Sequence, residues 1–210
     1  MSLQSRAVTM TKQMIQIEST DPGTYENAMA DWITTQLAPY PNVRLSRQEV
    51  LPGRPNLIAE LTGDPSLPAL VMICHMDTVV VGDGWTLPPF DAIEKDGKIY
   101  GRGACDMKSG LACCLSAFQY AAETLQTSGK TPKQTLKLIC SMDEEDFMRG
   151  SEACIQAGWV TDHDWVIDAE PTNGQIQMAH KGRTWYEIDV QGHTAHASTP
   201  WKGADAIAAM

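Results

Sequence analysis

The sequence predicts an α/β protein with a mostly parallel sheet flanked by helices. Short apolar runs, of the length expected for buried strands, alternate along the chain with longer segments of helical periodicity. Three of these runs, at residues 70–74, 137–141 and 165–169, end abruptly in polar residues. Strands that alternate with helices indicate a sheet in which most neighbouring strands run parallel.

The composition is that of a folded globular protein. The chain has 210 residues, of which 43% are hydrophobic and 20% charged, enough for one domain or one and a half. Its net charge of −10 argues against nucleic acid or an anionic membrane as a partner. Bound cations would neutralise part of this excess negative charge.

Two features predict a cytoplasmic protein. The N-terminal segment lacks the apolar core of a signal peptide, and no apolar run approaches the roughly 18 residues of a membrane span. The six cysteines lie mostly in apolar stretches and form no C-x-x-C pair. We therefore expect small buried thiols rather than disulfides or a cysteine zinc site.

The first third of the chain predicts two helices followed by three strands. Apolar residues recur at helical spacing over residues 3–17 and 25–37, and a Ser-Thr-Asp-Pro-Gly segment separates the two helices. We expect strands over residues 43–50, 56–61 and 70–74. The last of these is the most apolar, and it ends in His-Met-Asp.

The remaining chain predicts further strand and helix pairs and then a change of pattern. In order, we expect a loop at 81–91, a strand at 98–100, a glycine loop at 101–110, a helix at 110–125, a strand at 137–141, a helix from 151 to 156 and a strand at 165–169. Residues 185–190 alternate polar and apolar, which predicts a strand with one solvated face. Residues 204–210 resemble the first turns of a helix.

Four polar clusters follow the core strands or lie in the glycine loop. An acidic residue at a strand end often only caps a helix, so one such cluster is weak support for a site. Together they would repel one another strongly unless cations lay between them. Mixed imidazole and carboxylate ligands suit zinc, cobalt or manganese better than calcium. The clusters are His75 with Asp77, Asp106, Asp143 with Glu144 and Glu145, and Asp168 with Glu170.

Five ordered segments resemble the M20 metallopeptidase family, which includes acetylornithine deacetylase, succinyl-diaminopimelate desuccinylase, aminoacylase and glutamate carboxypeptidases. The segments are HMDT, YGRGACDMKSGLA, MDEED, DAEPT and GHTAHASTPWKGADAI, between about residue 70 and residue 210. The resemblance covers the N-terminal portion of the family. It implies a zinc-peptidase-like catalytic domain over residues 1–182 and the beginning of a smaller α+β lid or dimerisation domain over residues 183–210.

The resemblance also implies a site that holds two zinc ions, or cobalt or manganese in their place. His75 and Glu170 would bind the first metal, Glu145 the second, and Asp106 would bridge both. Asp168 is a lesser alternative to Glu170. The glycines of the 101–110 loop would let the backbone turn sharply and bring Asp106 to the cleft.

Two catalytic roles follow from the same resemblance. Glu144 would be the general base, and Asp77 would hydrogen-bond His75 and fix its tautomer. The implied reaction cleaves the amide bond of an N-acyl amino acid or small peptide by attack of metal-bound hydroxide. A di- or tripeptidase or a carboxypeptidase of the same family is the alternative. A serine or cysteine hydrolase has little support, since no G-x-S-x-G elbow is present.

The implied lid contributes one more residue. His196 would stabilise the oxyanion, reaching the site from the partner subunit of a homodimer, and His193 is the competing choice. His163 and His180 match no ligand motif and are expected at the surface or in structural positions.

The family pattern also contains a metal-binding histidine further along the chain, and none of the five histidines here fits that place. We therefore expect the sequence to be a fragment, a shortened protein, or one part of a site that a second polypeptide completes. A truncated or catalytically incomplete domain is accordingly the second functional hypothesis.

Overall fold

The computed structural model describes residues 2–210. These residues form two compact units, the first ending at Gly174 and the second comprising Gln175–Met210. The boundary between the catalytic and lid domains, expected between residues 182 and 183, stays a prediction. Among the described residues, no helix combines the length and the apolar character that a bilayer crossing requires.

The first unit contains helices and strands in the alternation that the sequence predicts. Its helices are α1 (Leu3–Ile15), α2 (Asn27–Leu37), α3 (Lys108–Ser128) and α4 (Arg149–Gln156). Its strands are β1 (Thr20–Asp21), β2 (Arg44–Leu51), β3 (Arg54–Leu61), β4 (Leu70–His75), β5 (Thr78–Val79), β6 (Ile93–Lys95), β7 (Lys98–Tyr100), β8 (Leu136–Ser141) and β9 (Trp165–Asp168).

The central sheet has five strands in the order β2-β3-β8-β4-β9. This confirms the α/β class, with a sheet that is mixed: β4 pairs parallel with β8 and β9, while β3 pairs antiparallel with β2 and β8. The antiparallel pairing of β2 with β3 follows from the tight turn between them, where Gly53 has a φ of 73°. So short a connection can only reverse the chain.

Alternate residues of the sheet enter two apolar cores. One face, including Leu57, Met72 and Leu138, packs with residues of α1, α2 and α3. The opposite face, including Ile58 and Ile139, packs with Cys154 of α4. All eight residues of β3 are buried, as expected for a strand covered on both sides.

The parallel strands bring their carboxyl ends to one edge of the sheet. His75 of β4 pairs with Ser141 of β8, and Ile73 of β4 pairs with Asp168 of β9. The segments that follow β4, β8 and β9 therefore leave the sheet side by side, where α/β proteins usually bind their ligands.

The second unit has little regular structure. It contains a 3₁₀ turn at Pro200–Lys202, a short helix α5 (Ala206–Ala209) and a backbone bridge between His193 and Ala204. The prediction of a strand over residues 185–190 is wrong, since these residues, all described, form none. A strand needs a neighbour for its N–H and C=O groups, and here the side chains of Tyr186 and Ile188 are 84% and 72% exposed.

Candidate metal centre

The imidazole of His75 lies at the end of β4 and is only 2% exposed. Its Nδ1 is 2.8 Å from the carbonyl oxygen of Asp77. Because a carbonyl oxygen only accepts hydrogen bonds, Nδ1 carries the proton and donates it. In the neutral ring this leaves the lone pair on Nε2, the nitrogen that faces the cleft.

Carboxylates from three separate segments surround His75 Nε2. The nearest oxygens of Asp106, Glu170 and Glu144 lie 3.0, 3.5 and 3.8 Å from it. Each acid follows a different strand or lies in the glycine loop, so the tertiary fold alone brings them together. Asp106 is about half exposed and both glutamates about a third, which leaves the cluster open to solvent and to ligands.

The pKa values of the cluster show an excess of negative charge. Burial opposes protonation of His75, but the hydrogen bond to Asp106 and the nearby carboxylates outweigh it and raise the pKa of His75 to about 10. Burial and the charge of Asp106 raise the pKa of Glu170 to about 8 and that of Glu145 to about 6. Protons are held more tightly than usual because they supply positive charge that this cluster lacks.

The donor atoms form two groups that fit metal ions. His75, Asp106 and Glu145 make one group, and His75, Glu144 and Glu170 make the other, with all atoms of a group within 4.8 Å of one another. One imidazole nitrogen with several carboxylate oxygens suits zinc, cobalt or manganese. Asp168, the predicted alternative to Glu170, belongs to neither group among the described residues.

The glycine loop brings Asp106 to within 3.0 Å of His75 Nε2. Gly103 has a φ of 79°, a left-handed conformation in which side chains are strained. Gly110 is needed for a different reason: it lets two backbone segments lie close together, because a Cβ there would lie 2.2 Å from the carbonyl oxygen of Ala169. The first turn of α3 can therefore lie against the residue that precedes Glu170.

Asp77 is placed differently from the sequence expectation. Its carboxylate oxygen is 3.6 Å from His75 Nδ1, and the hydrogen bond from His75 goes to the Asp77 carbonyl oxygen instead. The carboxylate accepts hydrogen bonds from the backbone N–H groups of Glu144 and Glu145, at 3.1 and 2.9 Å. Asp77 thus holds both the imidazole and the segment that carries two of the acids.

The remaining histidines lie outside these donor groups. In the second unit, His196 Nδ1 is 2.8 Å from Ser198 Oγ and accepts a hydrogen bond from Ser198 N at 3.2 Å, and the His193 backbone pairs with Ala204. The choice between His196 and His193 stays a prediction. His163 and His180 are exposed.

Sequence reasoning missed the buried polar residues behind the site. Arg54, Asn56 and Glu26 are buried on β3 and beside α2, and their hydrogen bonds reach the segment after β8. Oxygens of Asp21, Glu26 and Asp77 also cluster, but there Arg54 binds Asp21 and Glu26 and supplies the positive charge. No motif marks these residues in the sequence.

The sequence model of Peptidase family M20/M25/M40 matches residues 71–209. A probable succinyl-diaminopimelate desuccinylase of Staphylococcus aureus strain Mu50 is 38% identical over 156 residues, covering 73% of this chain and 38% of that protein. The acetylornithine deacetylase of Proteus mirabilis is 34% identical over 190 residues, covering 88% of this chain and 45% of that protein. The chain thus spans less than half the length of these relatives.

A solved structure shows the same fold. The crystal structure of aminopeptidase PepT from Bacillus cereus superposes with a TM-score of 0.59 at 22% identity, covering 98% of this chain and 54% of that one. Identity at this level supports the similarity of fold alone.

Proposed function

The chain belongs to peptidase family M20/M25/M40, and from this premise we propose that its acidic cluster is the metal centre of an amidohydrolase. Metal-dependent cleavage of an amide bond is the function that the site supports best. The observation that carries the proposal is the buried His75 Nε2, with carboxylates of Asp106, Glu170 and Glu144 within 3.0–3.8 Å.

We assign the metal ligands as the resemblance implies. His75 and Glu170 would hold one divalent cation, Glu145 a second, and Asp106 would lie between them. When bound, such cations polarise a carbonyl oxygen and lower the pKa of a water molecule. Zinc is the proposed metal, with cobalt or manganese as substitutes that the same donor set accepts.

Glu144 is the proposed general base. Its carboxylate is about one third exposed, so water can reach it, and its backbone N–H is held by Asp77. It would take a proton from the attacking water and then give that proton to the leaving amine. The hydrogen bonds that the Asp77 carboxylate accepts from the N–H groups of Glu144 and Glu145 keep the Glu144 side chain in place while the proton moves.

The proposed substrates are N-acyl amino acids. Support comes from the relatives at 34–38% identity, which are named for removing succinyl or acetyl groups. Small peptides are the alternative, because the structural neighbour is named an aminopeptidase. Both contain the same amide bond, so only the groups on either side distinguish them.

Two further proposals concern the assembled enzyme. His196 would stabilise the oxyanion from the second subunit of a homodimer formed through the lid. A reducing, cytoplasmic location is supported by six cysteines that are free thiols in the described structure, four of them buried.

Metal content and hydrolysis test the proposed function together. The purified chain and its two variants, His75→Ala and His163→Ala, are dialysed against zinc or cobalt. Bound metal is then measured by mass spectrometry. Each sample is then assayed with N-acetyl and N-succinyl amino acids and with dipeptides. We expect His75→Ala to lose metal and activity, whereas His163→Ala, which changes an exposed histidine, behaves like the unaltered chain.

Two results would contradict the proposal. One is a His75→Ala variant that retains as much metal as the unaltered chain. The other is a metal-loaded chain that hydrolyses none of these amides, which would favour the catalytically incomplete domain instead.

A further inference from the structure

The segment called the acidic loop here, residues 142–150, begins where the chain leaves the sheet after β8 and includes the first two residues of α4. Backbone N–H groups at that point lose their strand partners, and buried donors need acceptors. Four consecutive N–H groups each donate to a buried side chain. The pairs are Met142 N to Asn56 Oδ1 at 3.0 Å, Asp143 N to Glu26 Oε1 at 3.1 Å, Glu144 N to Asp77 Oδ1 at 3.1 Å and Glu145 N to Asp77 Oδ2 at 2.9 Å.

Asn56 ties the two ends of the acidic loop together. While its Oδ1 accepts from Met142 N, its Nδ2 donates to the carbonyl oxygen of Gly150 at 2.8 Å. A Cβ on Gly150 would lie 2.3 Å from the Met142 carbonyl oxygen, so the ends meet backbone to backbone. The loop between them has little freedom to change its span.

Arg54 balances the charge behind the loop. Its side chain is 9% exposed, and its Nε donates to Glu26 Oε2 at 2.9 Å while Nη2 contacts Glu26 Oε1 and Asp21. Its Nη1 is 3.3 Å from Asp143 Oδ1. Arg54 thereby orients Glu26, so that a carboxylate oxygen faces the Asp143 N–H.

We propose that Glu26, Asn56 and Arg54 are positioning residues that fix Glu144 and Glu145 by holding the backbone of the acidic loop. Asn56 and Glu26 accept from the backbone N–H groups of Met142 and Asp143, and Asp77 accepts from those of Glu144 and Glu145. Arg54 acts through Glu26. The consequence for catalysis rests on the proposed function, whereas the consequence for the loop backbone does not.

Glu60 provides a matched control. It is a buried carboxylate on the same strand as Arg54, 7% exposed, and pairs with Arg44 at 2.8 Å. The Glu60 carboxylate accepts hydrogen bonds from Arg44 and Thr62, away from the acidic loop. Replacing Glu60 with Gln removes a buried charge of the same kind without touching the acceptors of residues 142–145.

Amide hydrogen exchange measured by NMR tests the proposal on the full chain. In Glu26→Gln, one of the two oxygens that between them accept from Arg54 and Asp143 becomes an N–H₂ group, so at least one donor loses its acceptor. We expect the amides of residues 143–145 to exchange about tenfold to a hundredfold faster, with β3 and β8 amides nearly unchanged. Glu60→Gln should cause no selective change in these amides.

Asn56→Asp provides a second route should Glu26→Gln fail to fold. The aspartate retains an acceptor for Met142 N but presents an oxygen to the Gly150 carbonyl, so it releases one end of the loop. We expect faster exchange at Gly150 and its neighbours. Exchange that rises by one factor across the whole sheet, or that stays unchanged in the acidic loop, would overturn the proposal.

Kinetics separate positioning from the proposed function. If the unaltered chain hydrolyses an N-acyl amino acid, Glu26→Gln should lower kcat about tenfold to a hundredfold with KM within about twofold. An unchanged kcat would overturn the catalytic part of the inference. If the unaltered chain hydrolyses no amide while the loop amides respond selectively, the proposed function fails and the positioning of the loop stands.

Discussion

The imidazole of His75 draws its properties from groups that are distant in the sequence. Asp77 fixes the proton on Nδ1 through its carbonyl oxygen, and acids from three other segments face Nε2. A buried histidine whose Nδ1 proton is already held can bind a cation through Nε2 once the Nε2 proton is displaced. Its motif identified His75 as a candidate, but only the packed structure shows which nitrogen faces which group.

Glu144 and Glu145 are neighbours with different proposed roles, and mutation separates them. Glu144→Ala should lower turnover by about 10²–10⁴ while leaving metal content nearly intact, because a base is lost and a ligand is not. Glu145→Ala should lose metal. Metal content and kcat of both variants are compared with Glu152→Ala, which removes an acid from the exposed side of α4. Equal loss of metal in the two variants would show that the base is wrongly assigned.

The sequence predicts the ends of the strands that have continuous apolar runs to within one or two residues. β4 and β8 were recognised because burial on both faces demands unbroken apolar sequence. β9 carries a similar apolar run, although it lies at the edge of the sheet and its four residues are exposed. The two-residue strands β1 and β5 were missed, since segments that short carry no periodicity. The prediction of a strand at residues 185–190 was wrong for the opposite reason. The alternating pattern is present there, but no described strand pairs with it.

One carboxylate ties the start of β4 to the turn before β9, and it makes stability depend on pH. Asp164 accepts hydrogen bonds from Ala69 N at 2.8 Å and Thr161 N at 2.9 Å. Burial opposes ionisation, but these donors outweigh it and lower the pKa of Asp164. A carboxyl with a lowered folded-state pKa stabilises above its ordinary pKa of 3.8, and this contribution is lost as pH falls through the folded value.

Urea unfolding of Asp164→Ala tests this linkage. The free energy of unfolding should fall by about 1–2 kcal/mol at pH 7, because two backbone donors lose their acceptor. The difference from the unaltered chain should shrink as the pH is lowered below about 4. Asp162→Ala, at an exposed neighbouring acid, is the control. A difference that stays constant with pH would contradict the assignment.

For the whole molecule, the proposed homodimer makes a prediction that mixing can test. If His196 serves the site of the other subunit, Glu144→Ala and His196→Ala should complement each other when mixed and refolded together. Random pairing leaves about one quarter of the sites intact, so activity should recover towards that fraction. A mixture of Glu144→Ala and Glu145→Ala should recover nothing, since both changes lie in the same unit. No recovery in the first mixture would contradict action from a second subunit.

The amino-acid sequence by itself determined the α/β class, the main strands and helices, the family and the acids that form the cluster. These depend on local apolar runs, glycine positions and short ordered motifs, which are properties of neighbouring residues. The tertiary structure alone decided that the sheet is mixed, that Asp77 holds the acidic loop by its carboxylate, and that Glu26, Arg54 and Asn56 lie behind that loop. Those relations join residues far apart in the chain, and a buried polar group finds its partner only when the strands and helices pack.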